Sequence, residues 1–85
     1  MINDTLKTFR IMKIDKNILV SGETIEFENE DFNLELSHSE TLSGGKAFKI
    51  FFNGAFILIT KSFKSLEKKA VKLISKYNLQ PINQS

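Results

Sequence analysis

The chain has 85 residues, 12 Lys and Arg against 10 Asp and Glu, and 41% hydrophobic side chains including eight Phe, enough for one modest core in a single domain over residues 1–85. It has no cysteine, which excludes disulfides, thiolate chemistry and Cys-based zinc sites and fits a reducing cytoplasm. No apolar run approaches the ~20 residues of a membrane span, and Met1 to Thr5 lack the basic-then-apolar layout of a signal peptide.

In chain order, residues 1–5 are expected to fray, as are 80–85 at the other end. Leu6 to Ile14 reads as a first strand with imperfect alternation. Asp15-Lys16-Asn17 is a turn signal, Ile18 to Val20 a short second strand, and Ser21-Gly22 turns the chain again. Thr24 to Phe27 and Phe32 to Ser37 alternate cleanly, with Glu28 to Asp31 as the loop between them. Phe27 then faces Phe32 and Ile25 faces Leu34. Ile25, Phe27, Phe32, Leu34 and Leu36 form the inner side; Thr24, Glu26, Asn33 and Glu35 form the outer. Such a pattern is typical of a half-buried antiparallel sheet. His38 to Lys46 reads as a loop.

Phe48 to Asn78 carries most of the strongly apolar residues. Asn53-Gly54 between two apolar runs predicts a type I′ hairpin turn, because both residues tolerate φ > 0. A two-residue loop sets Phe52 against Ala55, Ile50 against Ile57 and Phe48 against Ile59, all on one side. Lys49, Phe51, Phe56, Leu58 and Thr60 fall on the other. Phe63, Leu66, Ala70, Leu73 and Tyr77 then recur at helical spacing, with Val71 and Ile74 beside them. Ser62 or Ser65 is the N-cap, without a capping box, and Asn78 can end the helix in the left-handed conformation ahead of Pro81. The expected fold class is α+β: an antiparallel sheet of four to five strands built from hairpins, with one C-terminal α-helix packed across one face.

Charge is polarised along the chain. Asn17 to Gly45 holds seven acids (Glu23, Glu26, Glu28, Glu30, Asp31, Glu35 and Glu40) and no base, while all 12 Lys and Arg lie in the flanks. Glu26, Glu28, Glu30, Asp31 and Glu35 are the candidate surface for a basic protein partner; a solvated, edge-protecting face is the plainer reading. Their spacing lacks the pattern of a calcium loop. Lys64, Lys68, Lys72 and Lys76 form an i, i+4 row beside Lys69, the candidate surface for nucleic acid or another polyanion. With no Arg to read a base edge, solvated lysines are the ordinary reading there. Phe51, Phe56 and Leu58 are too apolar for a solvated face. Either the N-terminal strands curl over them, or they mark an interface, most commonly that of a homodimer.

Other motifs carry less. Ser43-Gly44-Gly45-Lys46 suggests a phosphate loop, but Glu40 and Ala47 stand where the motif needs Gly and Ser or Thr, and a strand follows. His38, the one histidine, reads as a surface loop residue beside Ser37, Ser39 and Glu40. No catalytic residue, metal site or cofactor is assigned.

Gly54 to Leu79 resembles the strand–turn–helix ending of many small phage and bacterial α+β proteins. The resemblance covers about a third of the chain and carries no functional residue with it. The expected function is a small non-enzymatic protein-binding module, an inhibitor or adaptor, in its sharpest form a phage-encoded inhibitor of a host nuclease or defence complex of the anti-CRISPR kind. The alternative is a nucleic-acid-binding protein using the lysine row. Either would work in the cytoplasm (the host's, for a phage protein) and away from the membrane.

Overall fold

The computed structural model describes residues 14–82. Helix α1 (Lys16–Val20) precedes strands β1 (Ile25–Glu28), β2 (Asn33–Glu40), β3 (Lys46–Phe52) and β4 (Ala55–Thr60). Helix α2 (Phe63–Tyr77) and a short strand β5 (Gln80–Pro81) follow. The sheet is antiparallel throughout, in the order β4-β3-β2-β1-β5, and α2 packs against it in an α+β fold.

The expected first strand lies outside the described residues except at Ile14, which is buried and is not itself in a strand. The expected turn and second strand, Asp15 to Val20, instead form a cap and a helix. The Asp15 carboxylate accepts the Asn17 N–H at 2.9 Å, which commits the next residues to a helical turn. Gly22, at φ +101, ends that turn. Only Leu19 of the three-residue apolar run enters the core; Ile18 and Val20 stay exposed. A run of three was too short to tell strand from helix.

β1 and β2 pair in a register two residues from the expected one, with Phe27 opposite Leu34 and Ile25 opposite Leu36, and residues 29–32 connect them in place of 28–31. A shift of two keeps every side chain on its expected side. Asn29 closes the displaced loop: its Oδ1 accepts the N–H groups of Asp31 and Phe32 at 2.8 and 2.7 Å. β2 also runs on to Glu40, so the expected loop from His38 contracts to residues 41–45.

The hairpin turn forms as the sequence predicts, with Asn53 at φ 52 and Gly54 at φ 80. The register then departs from the expected one. Phe52 pairs with Ala55 and Phe51 with Phe56, but Ile50 pairs with Leu58 and Phe48 with Thr60. Ile57 is the extra residue of a β-bulge, which reverses the facing of everything after it. Leu58 therefore packs against the core, while Ile57 and Ile59, expected inside, are 40% and 47% exposed.

α2 starts at Ser62, whose hydroxyl accepts the Ser65 N–H, and ends at Asn78 in the left-handed region. Leu79 then donates its N–H to the Ile74 carbonyl and buries its side chain, a Schellman closure. That closure aims the chain back along β1. Gln80 and Pro81 pair with Glu28 and Phe27, and the Ile82 N–H meets the Glu26 carbonyl at 3.0 Å. The fraying expected from residue 80 onward is thus replaced by pairing as far as Ile82; residues 83–85, like 1–5, lie outside the described residues.

The core joins Leu34, Leu36, Phe48 and Ile50 of the sheet to Leu66, Ala70 and Ile74 of α2 and Leu19 of α1. Each large side chain buried there contributes roughly 1.5–3 kcal/mol. Phe32, Phe52 and Tyr77 close one end, their ring centroids 4.6–5.4 Å apart.

Candidate interaction face

Both helices add their buried side chains to the inner side of the sheet. The outer side is set by the pleat. One cross-strand row runs Glu26, Glu35, Phe51, Phe56 over β1, β2, β3 and β4 in turn. The neighbouring row runs Ser37, Lys49, Ile59. The face is therefore acidic on β1 and β2 and apolar on β3 and β4. Glu28 extends the acidic part along β1, and Glu30 and Asp31 stand exposed on the loop beyond it.

Glu26, Glu28 and Glu35 thus share the outer side of the sheet, as alternation predicts for Glu26 and Glu35, and Glu30 and Asp31 stand on the adjoining loop. Of the apolar candidates, Phe51 and Phe56 do share the outer face, with ring centroids 5.5 Å apart and Phe56 54% exposed. Leu58 does not belong with them; the bulge turns it inward and substitutes Ile59. A groove of about 670 Å³ lies beside these rings, bounded by Lys49, Ile59 and the loop from Glu40 to Ser43. Leu42, at the tip of that loop, is fully exposed. Thr41 ties the loop shut, its hydroxyl donating to the Gly44 carbonyl at 2.8 Å and its N–H to the Gly45 carbonyl at 2.9 Å. Lys49 donates from Nζ to the Glu40 carbonyl at 2.8 Å, which holds its ammonium at the rim of the groove. Alternation placed Lys49 on this side but could not reveal Ile59 and Leu42 as members of the surface, because their place depends on the bulge and on how the loop closes.

Lys64, Lys68, Lys69, Lys72 and Lys76 are all exposed on α2. They occupy the side turned away from Leu66, Ala70 and Ile74, hence the side of the molecule opposite the carboxylates. Lys76 places its Nζ 5.4 Å from the Tyr77 ring centroid.

His38 is not a loop residue. It lies within β2, half-buried on the inner side, with its ring 4.4 Å from that of Phe48. Its Nδ1 is buried without a hydrogen-bond partner among the described residues. Ser37 and Ser39 point to the other side of the strand, so neither hydroxyl meets the imidazole. Gly44 and Gly45 sit at φ 95 and 78 in a strand connection, and β3 follows directly where a phosphate loop would need a helix. Among the described residues no group of three or more His, Asp or Glu is placed to hold a metal ion, and no helix is long and apolar enough to cross a membrane.

No protein-family model, curated protein or solved structure matches the chain. The functional reading rests on the face alone.

Proposed function

We propose that this protein is a small non-enzymatic binding module, an inhibitor or adaptor that lays the outer face of its sheet against a basic surface of a partner protein. The observation that carries it is the row Glu26–Glu35–Phe51–Phe56, which sets two carboxylates beside a half-buried and an exposed aromatic ring on the strands of the sheet. Glu26 and Glu35 stand directly opposite each other, an arrangement that destabilises a sheet by roughly 0.2–1 kcal/mol. Basic side chains of a partner would relieve that repulsion, while the rings supply the apolar anchor on which binding energy concentrates. The one histidine is turned toward the core, which suits binding better than acid–base chemistry. A basic groove that normally holds nucleic acid is the fitting target, and a phage-encoded inhibitor of a host nuclease or defence complex, of the anti-CRISPR kind, is the sharpest form of this reading.

Capture of the partner from the native host, followed by titration calorimetry, tests it. Changing Glu26, Glu28 and Glu35 to Lys should weaken binding by about tenfold or more while circular dichroism stays unchanged. Equal affinity of the wild type and this variant would remove the acidic face from the account.

A second reading is favoured by the exposed lysines of α2. Successive members of the row Lys64, Lys68, Lys72, Lys76 rise by about 6 Å along the helix, a spacing suited to neighbouring phosphates of one strand. A gel shift at about 50 mM salt, lost when these four become Gln, would support nucleic-acid binding. Absence of any shift by the wild type would exclude it.

A further inference from the structure

The sheet has two edges, and they are treated differently. On one, β5 is two residues long, contains Pro81, and borders the acidic strand β1. Short length, proline and nearby charge are the usual ways of blunting an edge. The other edge is β4, Ala-Phe-Ile-Leu-Ile-Thr, six residues with no charge and no proline. Phe56, Ile57 and Ile59 are 54%, 40% and 47% exposed along it. Among the described residues nothing pairs with its outer side. The bulge at Ile57 bends the strand without charging or covering it.

We infer that β4 is a self-association edge: two copies of this chain join β4 to β4 antiparallel, making one ten-stranded sheet about a two-fold axis perpendicular to it. Main-chain N–H and C=O groups on such an edge are self-complementary, so the same strand serves as its own partner. The charge layout selects a second copy. β4 carries no charge, and the carboxylates of the outer face lie on β2 and β1, two and three strands in from the junction. The carboxylates of the two copies therefore stay apart. With the axis perpendicular to the sheet, both outer faces point the same way. The two sets of Phe51, Phe56 and Ile59 merge into one apolar strip, flanked at each end by an acidic one.

Sedimentation velocity on the full chain, from low micromolar to submillimolar concentration, should show a monomer giving way to a species of twice the mass. Ile57→Lys with Ile59→Lys should raise the dissociation constant by at least about tenfold, with unchanged far-ultraviolet dichroism. In case that variant unfolds, a mixed-isotope sample of the wild type reads the contact directly: intermolecular nuclear Overhauser effects between β4 main-chain protons are expected. A monomer at every concentration overturns the inference. So does a dimer whose intermolecular contacts join the Phe51 and Phe56 rings with none between β4 backbones. The charge reversal at Glu26, Glu28 and Glu35 should leave the dimer intact, so failure of this inference and failure of the partner reading are told apart.

Discussion

Asn29 donates from its side-chain amide to the carbonyl of Tyr77 at 2.7 Å, joining the β1–β2 loop to the end of α2 across 48 residues of sequence. The same side chain accepts the N–H groups of Asp31 and Phe32. One residue thus closes the acidic loop and satisfies a carbonyl that the helix leaves open. Replacing it by Ala removes all three bonds and should cost about 1–3 kcal/mol. Asn29→Asp keeps the two acceptor bonds but loses the donor and sets a carboxylate against the negative end of the helix, so it should also destabilise. Urea denaturation of the two variants checks this; two curves coincident with wild type would refute the clamp.

The Glu26–Glu35 pair gives a prediction of opposite sign. If the repulsion is tolerated for binding, Glu35→Gln should raise stability by roughly 0.2–1 kcal/mol and weaken partner binding in the same protein. Thermal melts at low and high salt distinguish the cause, because screening should shrink the gain. A variant less stable than wild type at low salt would mean that Glu35 has a favourable role that the register does not reveal.

His38 offers a third. Its buried Nδ1 has no hydrogen-bond partner among the described residues, and its ring already packs at a tilt against Phe48. Replacing an unsatisfied polar ring by an apolar one of similar shape can be neutral or stabilising. His38→Phe should therefore fold with stability equal to wild type or up to about 1 kcal/mol greater. A loss of more than that would show that the imidazole makes a polar interaction needed by the fold.

Local chemistry made much of this fold legible. Asn53-Gly54, Ser62 and Asn78 each announce one backbone conformation, and each adopts it. The inner and outer sides of β1 and β2 also follow from alternation, and survive a register misplaced by two residues because the pleat repeats every two. What alternation could not show is the bulge at Ile57. Phe56, Ile57, Leu58 and Ile59 are all apolar, so no polar residue marks where the pattern slips a step. The acidic half of the candidate face was therefore readable, and its apolar half only in part. Asp15 failed for a related reason, since a turn signal and a helix cap use the same residue. Asn29 reaches a helix end far along the chain, a contact that no local pattern encodes.

The bulge itself can be tested with two single substitutions. Unbroken alternation from Ala55 would bury Ile59 and expose Leu58. The observed register does the reverse, with Leu58 packed against the core and Ile59 47% exposed. Leu58→Ser should then cost about 2 kcal/mol or more, from lost apolar burial and a hydroxyl placed against the core. Ile59→Ser removes mostly solvent-facing surface and should cost under about 1 kcal/mol. The comparison is made at protein concentrations low enough to keep the chain monomeric, so that any contribution of Ile59 to self-association drops out. Should Ile59→Ser prove the more damaging of the two, the chain would have to pair without the bulge. The apolar part of the outer face would then be Phe51, Phe56 and Leu58 after all.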